Sequence, residues 1–142
     1  RNDLSRSAEP FSVKVTKLFD IESHANVHHM VSTIVATRRP DQHAVDVIFD
    51  ALPGGSITGA PKRRAMEIID ELEHESRGAY CGVLGYFDDA GHADFNILIR
   101  TIAATKEGAV CWGGGGIVMD STWEDEWQEI QSKVGRILNT PI

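Results

Sequence analysis

A run of four glycines, residues 113–116, leads into three apolar residues and then into a segment that opens with carboxylates, GGGGIVMDSTWEDEWQEIQSK over residues 113–133. This stretch constrains the fold more than any other. Bare backbone of this kind bars a regular element and lets main-chain amides come close to a ligand. The first turn of the following helix carries unpaired N–H groups and a partial positive charge. Together they predict a site for an anionic ligand and a divalent cation, with Glu126, Glu129 and Lys133 beside it.

The spacing locates these side chains. At about 100° per residue, Glu126, Glu129 and Lys133 fall within roughly a 60° arc of a helix. Trp123, Trp127, Ile130, Val134 and Ile137 fill the adjoining arc and predict a core-facing stripe. The carboxylates then sit at the stripe's edge. Ser121, with Glu124 three residues on, reads as a capping box. On spacing alone a plain surface helix with a Glu129–Lys133 ion pair stays open, worth a few tenths of a kcal/mol.

The rest of the chain has the length of one domain with a real core, at 142 residues. The formal charge of −7 argues against a nucleic-acid groove, which needs a basic face. No apolar run reaches membrane-spanning length, and no secretory signal is apparent. Cys81 and Cys111 lie in apolar surroundings and read as reduced thiols, which fits a cytoplasmic protein. The sequence opens on Arg1 with no initiator Met, so a truncated or processed piece of a larger protein is expected.

Residues 1–10 are polar, end at Pro10 and read as a loop. Alternation predicts strands over 11–15, 19–23 and 27–37. Helical spacing of Val45, Ile48 and Leu52 predicts a helix over 41–52 capped by Asp41. A further helix is expected over 60–75, with Pro61 in its first turn. Strands follow over 80–87, 94–104, 109–112 and 117–119, joined by short turns, and a last helix covers 122–138. Helices inserted among consecutive hairpins define an α+β fold, mostly antiparallel.

Several constellations have competing readings. Gly54 and Gly59 mimic a phosphate loop, but Ala60 stands where that motif needs Lys. Glu22, His24, His28 and His29 resemble metal ligands, yet on a strand His28 and His29 face opposite ways, so zinc is not expected. His29 alone suits a general acid or base, or an ordinary hydrogen-bonded histidine. Arg100, after Ile97-Leu98-Ile99, needs an anion: a ligand carboxylate, or Asp94 or Glu126. Tyr80 offers a phenol to the same ligand or packs as a core tyrosine with one wet end. The inventory suits a small dicarboxylate bound with Mg²⁺, whose preference for hard oxygen ligands matches Glu126 and Glu129.

GGSITGAPKRRAMEIIDELE (residues 54–73), the Tyr80-Cys81-Gly82 strand, Ile99-Arg100-Thr101, GGGGIVMDS and the E-x-x-E-x-x-x-K motif of Glu126, Glu129 and Lys133 resemble the chorismate-utilising enzymes. The resemblance runs from RNDLSR at Arg1 to the C-terminus, and GGSITGAPK is similar to the aminodeoxychorismate synthase branch. It implies that residues 1–142 are the C-terminal part of a chorismate-binding domain. It further implies Mg²⁺-dependent replacement of the chorismate C4 hydroxyl by ammonia from a glutaminase partner. The product would be 4-amino-4-deoxychorismate, for p-aminobenzoate and folate synthesis. By motif position, Glu126 and Glu129 are metal ligands. Tyr80 and Arg100 bind the enolpyruvyl side, and Gly114, Gly116 and Lys133 hold carboxylates. His29 is the active-site histidine, and Ser56 supplies a hydroxyl beside the substrate. Trp112 and Gly113 replace smaller, Ser/Ala-type residues, and Ala93 replaces a common Met. One further metal-binding Glu and the Lys proposed as the nucleophile at C2 belong upstream of Arg1, so the 142 residues alone are expected to be inactive. The competing expectations are an anthranilate or isochorismate/salicylate synthase, and a non-catalytic ligand-binding domain.

Overall fold

The computed structural model describes residues 1–24, 27–106 and 108–139, with backbone alone at 24, 27–29 and 136. Contacts divide the chain into two units, Arg1–Gly55 and Ser56–Ile142. The architecture is α+β, and every strand pairing among the described residues is antiparallel.

In the first unit, strands β1 (Lys14–His24) and β2 (Val27–Val35) form a long hairpin, with Lys14 opposite Val35 and Glu22 opposite His29. The segment expected over 19–23 is in fact part of this one strand, and of the segment expected over 11–15 only residues 14 and 15 belong to it. Its register shifts between Val15 and Lys17 and again between Lys17 and Asp20, which breaks the alternation that sequence reading depends on. Phe19, with φ 53°, sits at the second irregularity, and its N–H donates to Ser32 Oγ at 3.1 Å.

The segment read as a loop over 1–10 contains a helical turn, α1 (Asn2–Ser5), and a bridge between Ala8 and Arg38. What orders it is long-range and locally invisible. Asp3 Oδ2 accepts from Gly55 N at 2.8 Å, and the fully buried Ser7 hydroxyl donates to Asp50 Oδ2 at 2.5 Å. Helix α2 (Ala44–Ala51) starts later than expected. Its N-cap is His43 rather than Asp41, and the His43 N–H donates to Asp46 Oδ2 at 2.7 Å.

The one-turn helix α3 (Gly55–Thr58) starts on the last residue of the first unit, and the second unit also holds α4 (Lys62–Leu72), with Pro61 at the N-cap. Strands β3 (Val83–Phe87) and β4 (Ala93–Ile97) form a hairpin whose ladder is prolonged by Cys81 N to Leu98 O at 3.0 Å and Leu98 N to Gly82 O at 2.9 Å. The strand expected over 94–104 is broken. Arg100 adopts φ 51°, a left-handed turn that ends one ladder before β5 (Ile102–Ala104) pairs with β6 (Ala109–Cys111). The last helix, α5, spans Trp123–Leu138.

The strand expected over 117–119 is absent. The backbone there turns instead, with Ser121 N donating to Val118 O at 3.1 Å, and Met119 is fully exposed. Val134 on α5 and Cys81 are buried in this unit. The core-facing stripe therefore holds at its C-terminal end only. Trp123 and Trp127 stack on each other at 5.6 Å with 72% and 49% of their surface exposed. Among the described residues no helix is long and apolar enough to cross a membrane.

Candidate active site

The glycine run passes between side chains of α5 and of the turn before β3, and its fit to them is close. A Cβ at Gly113 would stand 2.6 Å from Val134 Cγ1, one at Gly114 2.6 Å from the Tyr80 hydroxyl, and one at Gly115 2.7 Å from Glu126 Oε2. Contacts under 3 Å are ones that real side chains avoid, so a side chain at any of these three positions would force a neighbour to shift. Beside the run lies a hollow of about 140 Å³, lined by Tyr80, Ile99, Arg100, Trp112, Gly113, Gly114, Lys133 and Val134.

Helix α5 supplies the charged groups. Lys133 Nζ donates to Gly114 O at 3.3 Å and pairs with Glu129, one helical turn earlier. That chain of contacts ties Glu129 to the wall of the hollow. Glu126 lies a further turn toward the helix start, at Gly115. Its Oε1 accepts from the Ser121 hydroxyl, while its Oε2 is buried with no hydrogen-bond partner. A buried, unpaired carboxylate oxygen is costly unless a cation or donor completes it. This orphaned oxygen fits a divalent cation. The donor set is nevertheless partial: among the described residues no three His, Cys, Asp or Glu side chains converge.

The opposite wall is aromatic. The Tyr80 and Trp112 rings stack at 6.0 Å with planes 13° apart, and the Arg77 guanidinium lies 5.6 Å from the Tyr80 centroid. Arg77 is itself fixed by a two-point pair with Glu73, at 2.7 and 2.5 Å, and donates to Ile57 O at 3.3 Å. Burial pushes the Tyr80 phenol above its ordinary range, and the neighbouring Cys81 thiol adds to the rise. Tyr80 therefore stays protonated and can donate toward an anion. The Arg100 guanidinium is exposed and makes no ion pair with Asp94, Glu126 or any other described residue.

The structure thus brings Tyr80, Arg100, Gly114 and Lys133 to one hollow, with Glu129 attached through Lys133 and Glu126 at the adjoining glycine. Gly116 stands in open space, with nothing within 4 Å of where a Cβ would be. Ser56, exposed on α3, does not line the hollow. His29 lies on β2, and its side chain falls outside the described residues. Sequence reasoning missed three contributors. Trp112 appeared only as an unusual neighbour of the glycines. Arg77 gave no signal, because its link to Tyr80 is a ring contact. Ser121 was read as a cap, yet the cap is Thr122, whose Oγ1 accepts from Asp125 N at 3.3 Å.

The sequence and the fold that carry this site have counterparts among known proteins. The chain belongs to the chorismate binding enzyme family, whose model matches residues 1–139. Its relatives include aminodeoxychorismate synthase component 1 of Salmonella typhimurium, 56% identical over 140 residues, a match covering 98% of this chain and 31% of that protein. The Escherichia coli protein of the same name is 54% identical, with 97% and 30% covered. Anthranilate synthase component 1 of Mycolicibacterium smegmatis is 43% identical, with 98% and 26% covered. The crystal structure of anthranilate synthase component I from Streptococcus pneumoniae superposes with a TM-score of 0.83 at 40% identity, covering 93% of this chain and 31% of that one. The chain therefore spans under a third of the length of these relatives.

Proposed function

We propose that this chain is the C-terminal part of an aminodeoxychorismate synthase component 1, acting on chorismate in the cytoplasm with a glutaminase partner. One observation carries the reading: of the consecutive glycines Gly114 and Gly115, the first is pressed against a phenol and the second against a carboxylate oxygen with no hydrogen-bond partner. That juxtaposition suits a small diacid bound through both hydrogen-bond donors and a cation. Identity favours the branch, at 56% to an aminodeoxychorismate synthase component against 43% to an anthranilate synthase component.

The residues take roles that their chemistry supports. Arg100, with no internal anion, receives one ligand carboxylate in the two-point manner of a guanidinium. Tyr80, held protonated, donates to the same end of the ligand. Lys133 and the amides of the glycine run hold a second carboxylate. Glu126 and Glu129 would hold Mg²⁺, a hard ion that takes carboxylate oxygens and keeps several waters. When bound, Mg²⁺ would neutralise the ring carboxylate and draw electrons from the ring, easing loss of the C4 hydroxyl. His29 and Ser56 rest on motif position alone: His29 as the general acid for the departing hydroxyl, Ser56 as a hydroxyl beside the substrate.

We expect the 142 residues by themselves not to turn over chorismate, since among the described residues no three His, Cys, Asp or Glu side chains group to hold a metal ion. Product analysis tests the reading. The complete polypeptide containing this sequence, given chorismate, Mg²⁺ and ammonium, should yield 4-amino-4-deoxychorismate. With its glutaminase subunit it should accept glutamine instead. Anthranilate or isochorismate as the product would overturn the branch assignment, and no metal-linked uptake of chorismate would overturn the enzyme reading altogether.

A further inference from the structure

We propose that Ser121 is a positioning residue for Glu126, fixing which carboxylate oxygen is offered to a divalent cation. The inference rests on the metal reading above and concerns a residue that reading does not use. A hydroxyl has one proton to give and two lone pairs to receive with. At Ser121 both capacities are committed. Val118 N donates to Oγ at 3.0 Å, and the hydroxyl proton goes to Glu126 Oε1. The Ser121 N–H in turn donates to Val118 O at 3.1 Å, so residues 118–121 close on themselves in both directions. The hydroxyl therefore cannot swing away from Glu126 without also giving up the hydrogen bond it accepts from Val118 N.

Helix capping does not account for this residue. Thr122 performs that role through Asp125, accepting from its N–H at 3.3 Å and donating to its Oδ2 at 2.8 Å. What Ser121 achieves is asymmetry within one carboxylate. Oε1 is satisfied and anchored, while Oε2 is left buried, unpaired and directed at the bare backbone of Gly115. An oxygen so held is set in place for an ion before the ion arrives, and loss of such outer hydrogen bonds typically weakens metal affinity about 10- to 100-fold.

The test is calorimetric titration of MgCl₂ into the complete polypeptide containing this sequence, saturated with chorismate, without turnover as the readout. Ser121→Ala should weaken Mg²⁺ binding about 10- to 100-fold. Ser121→Thr, which keeps the hydroxyl, should restore it to within about threefold of wild type. Glu126→Gln marks complete loss of the ligand, and melting curves of all variants report folding. If Ser121→Ala binds Mg²⁺ as wild type does, the positioning role is wrong and the metal site stands. If Ser121→Ala does not fold, the threonine variant decides: a folded Ser121→Thr with weakened Mg²⁺ binding overturns the proposal. A wild-type protein that takes up no Mg²⁺ overturns the metal reading and this inference together.

Discussion

The Trp112 indole lies parallel to the Tyr80 ring, 6.0 Å between centroids and 13° between planes, and both rings wall the same hollow. The stack holds a phenol whose hydroxyl approaches Gly114. Aromatic pairs contribute about 0.5–1.5 kcal/mol beyond their buried area. Trp112→Ser should therefore destabilise the protein by about 1–2 kcal/mol and loosen Tyr80. In the complete polypeptide it should raise the KM for chorismate several-fold and leave kcat within about twofold, the pattern of lost uniform binding. Steady-state kinetics and a melting curve check both parts.

At Gly115 a single methyl group separates binding from stability. A Cβ there would meet Glu126 Oε2 at 2.7 Å, and that atom is the end of a flexible side chain. Gly115→Ala should fold with a melting temperature within a few degrees of wild type while displacing the carboxylate. Magnesium affinity should fall at least about tenfold, in the range seen when a ligand's support is disturbed. Titration calorimetry beside a melting curve distinguishes this outcome from general damage.

Gly85 presents the opposite case. A Cβ at this position would run into the Asp94 carbonyl oxygen and the Phe95 ring. The oxygen is backbone of the paired strand, where Gly85 stands opposite Phe95, and cannot move without parting the ladder. Gly85→Ala should cost about 3 kcal/mol or more. A loss of soluble protein, or a melting temperature lowered by many degrees, is the expected result.

Acid should act through Glu73. Its carboxyl is held below the usual carboxylate range, chiefly by the two-point hydrogen bond from Arg77 and in part by the charge of that arginine. A carboxyl depressed in the folded state contributes stability that is present above its unfolded value, about 4.3. That contribution fades as pH falls toward the folded value. Glu73→Gln should remove it, lowering stability at neutral pH by no more than about 1 kcal/mol for so accessible a pair. The variant's unfolding free energy should also vary less between pH 5 and 3 than the wild type's, as followed by urea titration.

Much of the fold was legible because its signals are local. The final helix carried its own periodicity, and the hairpins carried their turns. The failures at residues 1–10 and at Arg100 share a cause, since each was decided by a partner far along the chain. The helical turn at residues 2–5 depends on Gly55 and Asp50, and the break at Arg100 depends on a ladder that ends at Cys81. In the site, the carboxylates were visible from their one-turn spacing on α5. The stacking of Trp112 on Tyr80 and the grip of Ser121 on Glu126 were not, since neither follows a repeat.

The pairing of Lys133 with Glu129 has a thermodynamic corollary. The ammonium is already engaged, both by that carboxylate and by the Gly114 carbonyl, before any guest arrives. An incoming acid that recruits Lys133 must compete with Glu129 for it, and whatever it wins releases negative charge at the helix. A cation then finds a stronger attraction, and by reciprocity a cation already on Glu129 frees the ammonium for the acid. On the proposed reading, two ligands of opposite sign, exchanging hold of one lysine, would bind cooperatively without any movement of the main chain.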